Sequence, residues 1–338
     1  MLTMINHSVK SKIVLSDSYD PWHNLALEEF LFRNVEENQV ILYLWQNQNT
    51  VVIGRNQNAW KECRCTKLES DGGKLARRLS GGGAVFHDLG NLNFTFIMDR
   101  SLYDLHKQLQ VILQATKRLG IHAEFSGRND LTVDGKKFSG NAFYFEENKA
   151  YHHGTVLIDV DANKVASYLQ VSKEKMVAKG VDSVQSRITN LCNYLPALTI
   201  EKMKETLKLS FQELYGECPE PILIKNTDHD LKELYAKYSS WDWLYGKTPQ
   251  FDVVFETRFP WGGIDLGLTL RNGRITESKI YSDAMNANLI EHIGSSLVDL
   301  PLKSESILQA LDTLKVAEED MQVIQDMKHW LKTKIEEL

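Results

Sequence analysis

Two short stretches carry residues whose types and spacing could do chemistry. The first is Arg77-Arg78-Leu79-Ser80-Gly81-Gly82-Gly83-Ala84-Val85-Phe86-His87-Asp88. Three consecutive glycines are costly to order, because glycine loses more backbone freedom on folding than any other residue. A chain tolerates that where a ligand must lie against bare main chain, with N–H groups aimed at it. Arg77 and Arg78 add permanent charge on planar forks that suit phosphate or carboxylate. Ala84 to His87 then reads as a strand, Asp88-Leu89-Gly90-Asn91 as a turn, and Leu92 to Phe96 as a second strand. The glycines are therefore expected at the entry to a β-hairpin. A Walker A loop would need Gly-Lys-Ser/Thr, and a dinucleotide turn would need a helix next. The stretch points to an anion cradle; its bland alternative is a flexible connector flanked by surface arginines.

The second stretch is Asp130-Leu131-Thr132-Val133-Asp134-Gly135-Lys136-Lys137-Phe138-Ser139-Gly140. A two-residue turn at Asp134-Gly135 sets Val133 opposite Lys136, Thr132 opposite Lys137 and Leu131 opposite Phe138. Alternation then puts Lys137 on one face with Asp130, Thr132 and Ser139, and the apolar residues on the other. Gly127, Ser139 and Gly140 leave room near Lys137 for something to approach the backbone. A lysine on a polar strand face is more often merely solvated, and that reading stands beside the functional one. His152 and His153 are adjacent in a strand, so they face opposite ways and cannot share a metal. Either is more often structural than catalytic. His87 and Asp88 fit a turn, or a phosphate or metal contact.

These residues need elements to hold them. Ile13–Leu15 reads as a strand, and Asp20-Pro21 opens a helix running to about Asn34. Val40–Trp45 and Thr50–Ile53 read as a hairpin, and Trp60–Ser70 as helix. Leu102–Leu119 is the clearest helix, stopped by Gly120. Strands are expected at Ile121–Phe125, Asp130–Val133, Lys136–Ser139, Ala142–Phe145 and Tyr151–Val160, and helices at Ala162–Leu169 and Ile200–Tyr215. Tyr245-Gly246-Lys247-Thr248-Pro249 marks a boundary. Beyond it come alternating Ile264–Leu270, an Asn272-Gly273 hairpin turn, a return strand Ile275–Tyr281 and three closing helices. Two domains are expected, residues 1–246 and a small α+β appendage over 250–338.

The 338 residues are 43% hydrophobic and 25% charged with a net charge of −6, ordinary for a globular protein. That balance argues against nucleic-acid or membrane-surface binding. No apolar run approaches the roughly 18 residues of a membrane span, and the first residues do not read as a signal peptide. Cys63, Cys65, Cys192 and Cys218 form neither a zinc site nor a redox pair, and Cys63 and Cys65 read as packing residues. A reducing cytoplasm is the expected setting.

The glycine stretch, read from Arg77 through Asp88 to Gly90-Asn91, resembles the signature of lipoate–protein ligase A. The resemblance extends to Ser16–Trp22, Val51-Val52-Ile53-Gly54-Arg55, Ser126-Gly127-Arg128-Asn129-Asp130, Lys137-Phe138-Ser139-Gly140 and His152-His153-Gly154-Thr155. It implies an α+β fold of the biotin/lipoate protein ligase type: a large twisted mixed β-sheet with flanking helices, plus the small C-terminal domain. It implies the reaction too. Lipoate and ATP give lipoyl-AMP and pyrophosphate, and the acyl group passes to a lysine on lipoyl domains of 2-oxo acid dehydrogenase E2 subunits or glycine cleavage H protein. By resemblance Lys137 is the catalytic residue, set between the lipoate carboxyl and the α-phosphate as a fixed charge. Arg78, Gly83, Ala84, Val85, Phe86 and Lys137 are the expected ATP contacts, with Arg77, Ser80, Gly81, Gly82, His87, Asn129 and Asp130 as further phosphate or adenylate contacts. Lys137, Gly82 and His152 are expected to bind lipoate, and Mg2+ to be held through phosphates, with Asp130 as one candidate ligand. The rivals are an ATP-independent lipoyl or octanoyl transferase, which by resemblance uses a cysteine, a biotin ligase, and a non-enzymatic sensor on the same fold.

Overall fold

The structure, a computed structural model, describes residues 9–126, 130–170, 188–225, 231–245, 252–271 and 273–336. Gly127, Asn129, the 246–249 part of the expected linker and Asn272 lie outside the described residues. The chain forms two compact units. One comprises Met1–Val52, Trp60–Arg77 and Ala84–Leu244; the other comprises Ile53–Ala59, Arg78–Gly83 and Tyr245–Leu338.

The first unit carries strands β1 (Lys10–Ser16), β2 (Gln39–Trp45), β3 (Thr50–Ile53), β4 (Lys74–Arg77), β5 (Val85–His87), β6 (Asn91–Asp99), β7 (Glu124–Ser126), β8 (Asp130–Val133), β9 (Lys136–Glu146), β10 (Lys149–Leu157) and β11 (Ile222–Ile224). Eight of them make one mixed sheet in the order β11-β1-β2-β6-β10-β9-β8-β7. Strand β1 runs parallel to both its neighbours and the remaining pairs are antiparallel. Period-two alternation sorts the side chains. Val40, Leu42, Leu44, Leu92, Phe94, Phe96 and Met98 point one way, into a core with helices Leu105–Arg118 and Ile200–Tyr215. The opposite face is covered in part by helix Pro21–Asn34, whose first turn is capped by the Asp20 side chain.

Two expected hairpins do not form. Strand β2 belongs to the large sheet, whereas β3 joins a separate sheet ordered β4-β3-β5. Likewise β5 pairs with β3 while β6 pairs with β2 and β10. The turn between β5 and β6 is present, with the Gly90 N–H donating to Asp88 Oδ1 at 2.9 Å and Asn91 N–H to Asp88 O at 3.1 Å. It switches the chain between sheets rather than closing a ladder. Turn residues fix a local reversal, but neighbouring strands pair only if their apolar faces share a core. The nine buried residues of β6 need two long partners that a three-residue strand cannot supply.

In the second unit β12 (Val253–Phe259), β13 (Gly262–Arg271) and β14 (Arg274–Ser282) form an antiparallel sheet. Ile264, Leu266, Leu268 and Ile280 pack with helices Ala287–Ser296, Ser304–Asp312 and Met321–Glu336, as the alternation predicts.

Candidate active site

Lys137 is held by the β8–β9 hairpin. Asp134 and Gly135 have φ of 51° and 72°, the left-handed pair a two-residue hairpin turn requires. Val133 faces Lys136 and Thr132 faces Lys137, as expected. The next step differs: Leu131 faces Ser139 and Asp130 faces Gly140, because a β-bulge intervenes. Phe138 is the extra residue, and it and Ser139 are both fully buried. The bulge therefore places Ser139 opposite Leu131, on the face away from Lys137, which corrects the expected sharing of a face. It also brings Gly140 onto the Lys137 side. A Cβ built on Gly140 would stand 2.8 Å from Lys137 Nζ and 2.9 Å from Cε, so the lysine lies across that glycine. Its Nζ pairs with Asp130 Oδ1 at 2.7 Å, with the two side chains 39% and 41% exposed. The carbonyl of Lys137 accepts from Thr189 N at 2.8 Å, fixing the strand on its other edge.

The sheet register extends this face into a grid. Gly140 lies beside Thr155, whose Oγ1 accepts from Gly140 N at 3.2 Å; Thr155 is opposite Asn93, and Asn93 opposite Trp45. One step along lies the row Ala142, His153, Thr95, Tyr43. Helix Pro21–Asn34 lies over that second row: Glu28 Oε1 accepts from Thr95 Oγ1 at 2.7 Å and pairs with His153 Nδ1 at 2.9 Å. Trp45 Nε1 donates to Thr95 Oγ1 at 3.0 Å. Further along the helix Phe32 packs edge-on against Tyr144 and Tyr151. The row Gly140–Thr155–Asn93–Trp45 thus runs beside the helix, with the lysine at one end.

His152 points the other way. It is fully buried among Phe94, Phe96 and Phe143. Nδ1 lies 2.9 Å from Gln108 Oε1 and Nε2 lies 2.8 Å from the Asn141 side chain. Burial first, and the neighbouring His153 second, push its pKa down to about 3. His152 is a neutral clamp between helix Leu105–Arg118 and β9; of the two histidines, it is His153 that shares the lysine's face.

The glycine loop has its own logic. Gly82 has φ +88°, and a Cβ there would stand 3.0 Å from Arg78 Nη2. Its N–H donates to Ala284 O at 3.2 Å. The buried Arg78 guanidinium bonds Ser80 Oγ at 3.0 Å, Gly81 O at 2.7 Å and Gly83 O at 2.8 Å, so it braces the loop from inside. In the first unit Arg77, also buried, donates from Nε to Trp243 O at 2.8 Å and from Nη2 to Leu244 O at 2.6 Å. The forks expected to meet phosphate are thus engaged on carbonyls. Gly83 is exposed with open space where a Cβ would be, and neither Gly83 nor Ala84 N–H bonds an acceptor among the described residues. Of the rest of the motif, Val85 pairs with Val52, Phe86 is buried against Tyr168, and His87 Nδ1 lies 3.2 Å from Asn47 Nδ2 with its ring against Trp45.

Residues 20–212 match the family described as Lipoyl protein ligase A/B catalytic domain, and residues 248–331 match Bacterial lipoate protein ligase C-terminus. The chain belongs to the lipoate–protein ligase family. Among solved structures it is similar to P. falciparum LipL1, determined in complex with lipoate, at 30% identity over 96% of this chain and 99% of that one, with a TM-score of 0.85. A bi-partite lipoate protein ligase from Thermoplasma acidophilum, studied with its E2 lipoyl domain, is 26% identical over 73% of this chain and 100% of that one, with a TM-score of 0.63. A lipoate-protein ligase A bound with ATP shares the fold at 24% identity over 70% of this chain and 99% of that one, with a TM-score of 0.61. For a lipoate–protein ligase, sequence reading alone missed Glu28, Asn93, Thr95 and Thr155. For Asn93, Thr95 and Thr155 the signal is alternation on β6 and β10, informative once the register with β9 is known; Glu28 lies on helix Pro21–Asn34, outside that alternation.

Proposed function

We propose that this ligase activates free lipoate with ATP, releasing pyrophosphate, and then passes the lipoyl group from lipoyl-AMP to a lysine of a lipoyl domain. The observation that carries the reading is Lys137 lying over Gly140 at the head of a strip that the sheet register lays out. A fixed ammonium there pairs with the lipoate carboxylate and holds it in one place, which is where positioning lowers a barrier. The apolar tail follows the strip, at about 0.8 kcal/mol per buried CH₂, so octanoate is also a substrate. The Gly83 and Ala84 N–H groups fit an incoming phosphate, since each prealigned donor aimed at developing charge is worth about 2.7–4 kcal/mol. Arg78 acts through the loop it braces. Among the described residues no three metal-binding side chains cluster; Mg2+ would be held mainly by phosphate oxygens with Asp130, where it offsets phosphate charge.

The rival reading, cysteine-based acyl transfer without ATP, needs a low-pKa thiol. The Cys63 thiol is pushed up by its hydrogen bond to Cys65 and by burial, Cys192 by burial and Asp159, and Cys218 by burial, so these three thiols favour the lysine-centred reaction. Acceptors in this reading are E2 lipoyl domains and glycine cleavage H protein. The test is lipoate-dependent exchange of labelled pyrophosphate into ATP. The wild type should catalyse it, the Lys137→Ala variant should not, and absence of exchange in the wild type would sink the ligase reading.

A further inference from the structure

Two amides on the strip are incompletely used. Asn91 and Asn93 are 0% and 1% exposed, and two residues apart on β6 they share the Lys137 face. Asn91 Nδ2 donates to Asn93 Oδ1 at 2.9 Å. Asn93 Nδ2 and Asn91 Oδ1 then have no hydrogen-bond partner among the described residues. Turning both amides over would change which residue keeps the free N–H₂, but not that the pair keeps one. A buried donor without an acceptor costs free energy comparable to a lost hydrogen bond, so a pair like this is expected where a ligand supplies the acceptor.

The register says which part of the ligand that is. Asn93 is two strands away from Gly140, over which Lys137 lies. Two strand spacings are about 10 Å, roughly the reach of an extended eight-carbon acyl chain. With the carboxylate at Lys137, the far end of the chain comes to Asn93. In lipoate that end is the dithiolane ring, whose sulfurs are weak acceptors; in octanoate it is plain hydrocarbon.

We propose that the Asn91–Asn93 pair donates to a dithiolane sulfur and so sets the enzyme's preference for a sulfur-bearing acyl tail. This rests on the lipoate reading above. An apolar neighbour at the tail would leave the amide unpaired, and rejection of a ligand lacking the matching group is how such a site discriminates.

The test compares lipoate with 5-cyclopentylpentanoate, in which both sulfurs are replaced by CH₂ and the shape is kept. Binding of each to the full chain is measured by calorimetry for the wild type and for Asn93→Leu. The wild type should bind lipoate about tenfold more tightly, the scale of one modest hydrogen bond. Asn93→Leu should lose that preference by weakening lipoate while keeping or improving the carbocycle. Equal binding of the two ligands by the wild type overturns the proposal, as does a preference that persists in Asn93→Leu. Should the variant unfold, the wild-type comparison decides alone. If neither ligand binds the wild type, it is the lipoate reading itself that has failed.

Discussion

Gly140→Ala separates the lysine's role from the stability of the fold. The glycine sits in β9 without a positive φ, so alanine fits its backbone. The new Cβ would stand 2.8 Å from Lys137 Nζ and 2.9 Å from Cε, against about 3.5–4.0 Å for ordinary carbon contacts. The obstacle is the far end of a flexible side chain, so the lysine swings aside by about 1 Å and the strand stays. The ion pair it leaves is half-exposed on both sides, a class worth about 0–1 kcal/mol. Replacing glycine stiffens the unfolded chain and returns about 0.4–1 kcal/mol. Folding should therefore be unchanged or slightly strengthened. A displacement of about 1 Å at a reacting centre costs about a hundredfold in rate. The assay pairs lipoate-dependent pyrophosphate exchange with a thermal melt. Exchange at the wild-type rate in a folded Gly140→Ala protein would refute the placement of Lys137 as the site's organising charge.

Two other perturbations have defined outcomes. Glu28→Ala removes the acceptor shared by Thr95 and the buried His153; a loss of about 1–3 kcal/mol is expected in urea denaturation because buried donors are left unsatisfied, with Glu28→Gln costing less because it keeps an acceptor oxygen. His152 titrates near 6.5 when unfolded but only at about 3 in the fold, where burial keeps it neutral. The unfolded chain therefore binds more protons between those values, and stability is full above about pH 6.5 and falls as pH drops toward 3. Thermal midpoints followed from pH 7 to pH 4 should fall less steeply in His152→Gln than in the wild type; parallel curves would remove the assignment.

The local signals were legible where one residue type enforces one geometry. Asp134-Gly135 read as a tight turn because few residues accept two left-handed conformations in a row, and Lys137 opposite Thr132 followed. The helices of the second unit and the alternation of β13 were equally direct. Pairing between strands was not. Asp88-Leu89-Gly90-Asn91 turns the chain whether or not the flanking strands stay together, and only the shared core assigns β5 and β6 to different sheets. The bulge at Phe138 was invisible because Phe138 and Ser139 both sit inside, a break in alternation that composition does not announce. That break moved Ser139 off the lysine's face and, through the register, revealed Thr155 and Asn93 on it. The surroundings of the arginines were not legible for another reason. Charge alone does not say whether a guanidinium meets a ligand or the carbonyls of its own loop.

The odd residue in β9 lets Lys137 and Gly140, three positions apart, share one surface, which regular alternation forbids. Deleting Phe138 would let the ladder run on in even step with Ser139 still opposite Leu131 and Gly140 still opposite Asp130, so no side chain would change sides. The change would instead take a fully buried ring out of the core and bring Gly140 one residue nearer the lysine along the strand. A lineage that lost this one codon would thus keep the pattern of faces and alter the spacing between the ammonium and the bare patch beneath it.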